Sequence, residues 1–215
     1  MTSVGRGDGS ERREAVGMDR THRPVAHPTN PHRWSALALV LLLAAPWLAG
    51  CRYSIVGDSV TFDARDELEA RGADVSAFGG VNIALGRERL RALAQSGRRQ
   101  IVIELGLMDV SRAVDQSIIS RQIRRVLRDD VASVPCVVWL DLPVAPNVIP
   151  GWPERARTFN QRLRAIADEY GRQVAGWSVV AGAHPEWFRE DRIHLIDEGQ
   201  RRYARFVKHT VDQLC

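Results

Sequence analysis

Two short stretches of this chain carry residue types that can perform nucleophilic chemistry together. Gly57-Asp58-Ser59 follows the apolar run YSIVG and opens a helical pattern. A tight turn there can hold the Ser59 hydroxyl forward, beside the unpaired N–H groups and positive dipole end of a helix N-terminus. Taken alone, the tripeptide reads equally well as a helix cap formed by Asp58 or Ser59. The second stretch, Asp191-Arg192-Ile193-His194, stands before the last helical pattern. A serine nucleophile needs a base within hydrogen-bond reach, and the base needs a third group that fixes its tautomer and stabilises its protonated form. Asp191 and His194, three apart on one turn, meet that need locally: the carboxylate curls back to Nδ1 while Nε2 is left for the serine. D-x-x-H spacing also arises by accident, so its weight depends on the elements that place it.

Those elements alternate. YSIVG, ADVSAFG, QIVIELG, PCVVWLDLP and QVAGWSVV read as five strands, the third dense in β-branched residues. Between and after them, VTFDARDELEARG, RERLRALAQSG, VDQSIISRQIRRVLRDD, PERARTFNQRLRAIADEYG and DEGQRRYARFVKHTVDQL space their apolar residues for helices, with glycines at several ends and Pro153 near the start of the fourth. Strands that alternate with helices imply right-handed crossovers and a parallel sheet covered on both faces. The expected fold is therefore α/β: a three-layer α/β/α sandwich on a five-stranded parallel sheet. In such sheets functional groups gather at the carboxyl edge. Ser59, after strand one, and His194, after strand five, both fall there.

With these elements in place, the chain resembles the SGNH (GDSL-like) hydrolase family. The residues that carry the resemblance are the Gly-Asp-Ser turn after strand one, the glycine ending strand two in AFGG, Gly-x-x-Asp after strand three in ELGLMD, and WFREDRIHLIDEGQRRYARFV with its D-x-x-H. The resemblance covers nearly all of residues 52–213 and implies a flavodoxin-like sandwich that hydrolyses acyl or acetyl esters. It assigns Ser59 as nucleophile, His194 as base and Asp191 as its orienter, with the Ser59 and Gly80 amides as oxyanion donors; Gly79 fits the glycine position as well. One position departs from the pattern. Where the family has Gly-x-Asn-Asp, this chain has Gly106-Leu107-Met108-Asp109, and a thioether cannot donate a hydrogen bond. Loss of one such donor costs about 100- to 1,000-fold in rate. Asn82 and Asn147 are candidate substitutes, although an asparagine in a turn commonly bonds its own backbone. Related domains also occur attached to membrane acyltransferases, so acyl transfer to a sugar hydroxyl and a fold retained without efficient chemistry stand beside hydrolysis as readings. The expected substrate is a small acyl ester or acylated glycan, no cofactor is implied, and the chain is expected to act as a monomer.

The N-terminal quarter reads differently. Residues 1–34 are rich in Arg, His, Pro, Gly, Thr and Ser without apolar periodicity, as expected of a leader outside the fold. Translation from Met18 instead of Met1 would leave a shorter basic segment. WSALALVLLLAAPWLAGC is uncharged from Trp34 to Cys51 and contains Pro46, shorter than the roughly 20 residues of a comfortable bilayer span. A basic flank, a short apolar core and small residues before a cut point describe an export signal. Leu48-Ala49-Gly50-Cys51 looks like a bacterial lipobox, which implies lipidation at Cys51, a leader over 1–50 and a mature domain over 51–215. Membrane anchoring outside the cytoplasm is the expected location, with plain secretion or an uncleaved anchor as alternatives.

Composition narrows the remaining classes. The chain has 215 residues, 45% hydrophobic and 26% charged, with a net charge of +4, room for one buried core. Lys208 is the single lysine among 30 basic residues, which reads as compositional bias, and no basic patch with interleaved aromatics argues for nucleic acid. His184, Glu186 and Asp191 lack the close ligand pairs of a zinc site. Trp152, Trp177, Trp187 and Phe188 are expected to pack core and loops, the last two near enough to His194 to wall an acyl pocket. Cys136 and Cys215 could pair in an oxidising compartment, or Cys136 could be a small buried residue of PCVVWL.

Overall fold

In the computed structural model, which describes residues 53–215, five strands lie parallel in the order β2-β1-β3-β4-β5. They are β1 (Tyr53–Gly57), β2 (Ala73–Ala77), β3 (Gln100–Glu104), β4 (Cys136–Leu140) and β5 (Gln173–Ala175). All five residues of β1 are buried, and β3 and β4 are buried after their first residue. That is why these segments read as continuous apolar runs: a parallel sheet is covered on both faces. Ile55 of β1 pairs with Val75 on one side and Val102 on the other. The strand order places β1 and β3 in the middle, with the chain reversing its direction of growth between them, and loops at their carboxyl ends diverge around a crevice.

The helices are α1 (Ser59–Asp63), α2 (Arg65–Glu69), α3 (Ile83–Gln95), α4 (Leu107–Ser111), α5 (Gln116–Arg125), α6 (Trp152–Glu169), α7 (Trp177–Gly182) and α8 (Asp197–Leu214). On one face α2 packs against α8; on the other, α3 meets a wide turn over Val126–Asp130 that continues α5, and α5 packs against α6. Asp130, its side chain fully buried, joins that layer through Arg87 at 2.5 Å and Arg91 at 2.8 Å. The sandwich expected from the sequence is thus present, flavodoxin-like in strand order.

Two segments differ from the sequence reading. VTFDARDELEARG forms two short helices that meet at Ala64, not one. QVAGWSVV is a strand only as far as Ala175, and Trp177 onward is helical. The cause lies far away in the chain: Asp141, beyond the end of β4, accepts from the Ser178 N–H and hydroxyl, both at 2.6 Å. A carboxylate from another element supplies the first-turn acceptor that the local sequence lacks.

Cys136 and Cys215 form a disulfide, joining the start of β4 to the end of α8 at the amino edge of the sheet. Cys51, the proposed signal and the leader lie outside the described residues.

Candidate active site

The Ser59 turn is built by the end of β1. A Cβ on Gly57 would collide with the Thr61 side chain, so only glycine lets the chain fold back this tightly. Asp58 caps α1, its Oδ1 accepting from the Val60 N–H at 3.0 Å. The capping role therefore falls to Asp58, and Ser59, the first residue of α1, keeps its hydroxyl for another partner.

That partner is His194. Its Nε2 lies 3.0 Å from Ser59 Oγ, and its Nδ1 lies 2.6 Å from Asp191 Oδ2. The turn that presents it is fixed by several bonds. Asp191 Oδ1 accepts the N–H groups of Ile193 at 2.8 Å and His194 at 3.0 Å, the Arg189 N–H donates to the His194 carbonyl at 2.7 Å, and Phe188 bridges Leu195 across the loop. Gly199 lets α8 start against the Trp187 carbonyl, where a Cβ would not fit. Arg189 also reaches Asp63 at 3.0 Å, coupling the His194 loop to the end of α1. Burial raises the Asp191 carboxyl, but the His194 ring and the two backbone N–H groups outweigh it and hold Asp191 below the usual carboxylate range. With His194 30% and Asp191 33% exposed, the pair stays open to solvent while Nε2 faces the serine.

Beneath Ser59 lies a buried polar chain that the sequence reading missed. The Tyr203 hydroxyl of α8 meets Thr61 Oγ1 at 2.8 Å, and Thr61 Oγ1 donates to Glu104 Oε2 at 3.0 Å. The same oxygen accepts the Asp58 N–H at 3.2 Å. Burial, then the nearby Asp58 charge, pushes the Glu104 carboxyl well above its usual value. Burial also raises Asp58, to about 6, against the opposing bonds from Val60 and Glu104. The buried site therefore favours the neutral form of Glu104. The signal that could have found it is the acidic residue inside the otherwise apolar QIVIELG.

The loop after β2 holds Gly80 in the left-handed region at φ +77°, and Gly79 adjoins it. Buried Asp109 of α4 pins the end of this loop by accepting the Ile83 N–H at 3.0 Å. Met108, beside it, is half-buried against the core. Asn82 is taken up by a cap: its Oδ1 accepts the Leu85 N–H at 2.9 Å. Asn147 Oδ1 likewise bonds the Ile149 N–H at 2.8 Å. Its amide nitrogen has no partner among the described residues, and Asn147 lines a cleft.

That cleft is walled by Val60 and Ile193, the chain neighbours of Ser59 and His194, together with Glu104, Leu107, Trp177 and Phe188. Its free volume is only about 10 Å³, room for a single water. A wider cleft of about 290 Å³ opens beyond Phe188, between Pro146, Ala181 and Pro185. Phe188 thus lines both spaces, as its position near His194 suggested. Trp187 does not: it is buried, stacked on Trp177 and on the His184 ring. Trp152 and Trp177 are core residues and also line the narrow cleft. His184 pairs with Glu186 at 2.8 Å, away from Asp191's own partner His194.

The GDSL-like Lipase/Acylhydrolase family model matches residues 55–202. No curated protein matches the chain. Among solved structures the fold is similar to a GDSL-like lipase from Bacteroides thetaiotaomicron, with a TM-score of 0.66 at 14% identity, covering 83% of this chain and 98% of that one. A lipase/acylhydrolase from Enterococcus faecalis gives 0.63 at 13% identity, over 76% and 97%. The C-terminal catalytic domain of peptidoglycan O-acetyltransferase A from Streptococcus pneumoniae gives 0.58 at 19%, over 75% and 92%. At such identities the structural likenesses speak for the fold, while the sequence match spans well over half of the chain and joins the Ser59 turn to the His194 turn: this protein belongs to the GDSL-like lipase/acylhydrolase family.

Proposed function

We propose that the protein is an exported, lipid-anchored serine esterase that removes small acyl groups, acetyl foremost, from an envelope glycan or related ester. The observation that carries the reading is the unbroken hydrogen-bonded chain from Ser59 Oγ through His194 to Asp191, at 3.0 and 2.6 Å. Ser59 Oγ attacks the ester carbonyl while His194 Nε2 takes its proton, and Asp191 stabilises the imidazolium. The oxyanion is received by the N–H groups of Ser59 and Gly80, with the Asn147 amide as an additional donor. As the intermediate collapses, the bond to the alcohol oxygen breaks and His194 gives that oxygen its proton. Water then adds to the acyl-enzyme with His194 as base, releasing the carboxylic acid and restoring the Ser59 hydroxyl. The narrow cleft next to Ser59 favours an acyl group as small as acetyl.

The location follows from Cys51 as a lipid attachment point and residues 51–215 as the mature domain. The Cys136–Cys215 disulfide suits an oxidising compartment. With β1 starting at Tyr53 and Ser59 at its far end, an anchor at Cys51 would leave from the amino edge, about 20 Å from the hydroxyl at roughly 3.3 Å per residue. The site would then face away from the bilayer and toward envelope substrates. Cys51→Ala should move the protein from the membrane fraction to the soluble one.

A second reading, transfer of the acyl group to a sugar hydroxyl, is favoured by the likeness to a peptidoglycan O-acetyltransferase domain. Product analysis with a glycan acceptor separates transfer from hydrolysis. The deciding experiment for both is labelling of the purified protein by a fluorophosphonate probe beside its Ser59→Ala variant. Labelling that requires Ser59 supports serine acyl chemistry; equal or absent labelling of the two points to a fold that has lost it.

A further inference from the structure

The walls of the two clefts are apolar or neutral apart from one side chain. Pro143, Phe188 and Arg192 are shared by both clefts, and among the described residues Arg192 is the only permanently charged one lining either. The one acid present, Glu104, is buried, with its Oε2 already accepting from the Asp58 N–H and the Thr61 hydroxyl, and burial favours its neutral form. Arg192 forms no ion pair with a carboxylate among the described residues. One guanidinium N–H is used, Nη1 donating to the Pro185 carbonyl at 2.9 Å. That bond steers the group over the loop between the clefts and leaves most of its five donors unspent. The backbone adds a second observation. Arg192 adopts φ +57°, a conformation that glycine takes freely and that costs a residue with a Cβ on the order of 1 kcal/mol. It sits inside the turn that sets Asp191 against His194, where strain has no structural use that glycine would not serve better.

The clefts assign the two halves of an ester. The narrow one, beside Ser59, takes a small acyl group, which leaves the wider one beyond Phe188 for the alcohol. Arg192 stands at the junction, two residues before the histidine that protonates the leaving oxygen. We infer that Arg192 binds an anionic group on the alcohol half of the substrate, so that the preferred substrates are small acyl esters of acidic alcohols, carboxylate- or phosphate-bearing sugars among them. A planar guanidinium with free paired N–H groups matches either anion in bidentate fashion. This inference rests on the esterase reading of the Ser59 site.

The test compares kcat/KM for 4-acetoxybenzoate with that for its neutral isostere 4-acetoxybenzamide, in the wild type, Arg192→Gln and Arg192→Lys. A second pair, the 4-nitrophenyl monoester of adipic acid against 4-nitrophenyl hexanoate, places the charge on the acyl half instead. The wild type is expected to favour the benzoate about ten-fold or more, as charge-assisted hydrogen bonds imply. The ratio should fall to near one in Arg192→Gln and be partly kept in Arg192→Lys. Because the readout is a ratio, a general loss of activity in a variant does not imitate the effect. No preference in the wild type, a preference that survives Arg192→Gln, or a preference confined to the adipate pair overturns the inference while leaving the esterase reading intact. Absence of Ser59-dependent turnover of all four esters overturns both.

Discussion

Glu104 Oε2, at the end of β3, accepts the backbone N–H of Asp58 at 3.2 Å, so the residue that carries the Ser59 turn is held by a carboxyl buried in the neighbouring strand. The arrangement is economical only while Glu104 is neutral. Its carboxyl and that of Asp58 are both raised by burial, Asp58 to about 6 from 3.8 and Glu104 well above its usual value. The folded protein thus binds more protons than the unfolded chain once pH exceeds about 4. By linkage, the stability these groups contribute is fully present below that pH and is lost as pH rises through about 6 and beyond.

Thermal melts of the wild type and Glu104→Gln across pH 5 to pH 8 check this. Glutamine keeps an acceptor for the Asp58 N–H and Thr61 hydroxyl but cannot ionise. The wild-type melting temperature should fall more steeply with pH than that of the variant, by at least about 4 °C over the interval, at 2–4 °C per kcal/mol for a domain of this size. Parallel curves would show that Glu104 holds no such proton.

The Asp191–His194 pair makes a separate prediction. Asp191→Asn preserves size but removes the charge opposite Nδ1 and permits the wrong imidazole tautomer. Turnover of a 4-nitrophenyl acetate substrate should drop by about 10⁴-fold with KM little changed. Ser59→Ala and His194→Ala should each lose about as much as the double variant, because the groups act as one unit. Additive losses in a stopped assay of the three proteins would argue against a shared proton path.

Much of this arrangement is legible in the sequence because its signals are local. Gly57-Asp58-Ser59 and Asp191-x-x-His194 each fit within one turn, and the apolar runs of β1, β3 and β4 announce a sheet buried on both sides. The features that escaped are made by residues distant in the chain. The helix at Trp177 starts because Asp141, just past β4, reaches Ser178 in its first turn, and nothing in GWSVV announces that acceptor. Tyr203, Thr61 and Glu104 meet only after α8 has crossed the sheet, up to 142 positions from Thr61. The Cys136–Cys215 pair was open for the same reason: a cysteine at the start of a strand and one at the chain's end become neighbours only once the direction of α8 is known.

Met108 occupies the place where the family pattern has an amide donor, and it is half-buried against the core beside Asp109, which fixes the Gly80 loop. Met108→Asn restores a side chain that can donate to the oxyanion. Since one such donor is worth about 100- to 1,000-fold where removed, kcat on an acetyl ester should rise by at least about 10-fold, with a modest loss of stability from the polar group. An unchanged kcat would indicate that the Asn147 amide already serves the oxyanion. Combining Met108→Asn with Asn147→Ala then distinguishes redundancy from a misplaced donor, since redundancy predicts that the asparagine at 108 rescues the loss caused by Asn147→Ala alone.

The disulfide is expected to stabilise the fold without touching the chemistry. It closes a loop of 79 residues, and in the chain-entropy account a crosslink of that span is worth about 2–4 kcal/mol once native-state costs are included. It ties α8, which supplies Tyr203 to the buried chain under Ser59, to the first residue of β4. Both cysteines nonetheless lie at the amino edge, the length of a strand away from Ser59 and His194. Replacing both by serine, or reducing the wild type, should lower the melting temperature by about 5–15 °C, while kcat at 25 °C changes by less than about two-fold. A large fall in kcat at a temperature where the variant is fully folded would mean that the position of α8, transmitted through Tyr203 and Thr61 to the serine turn, depends on its C-terminal tether.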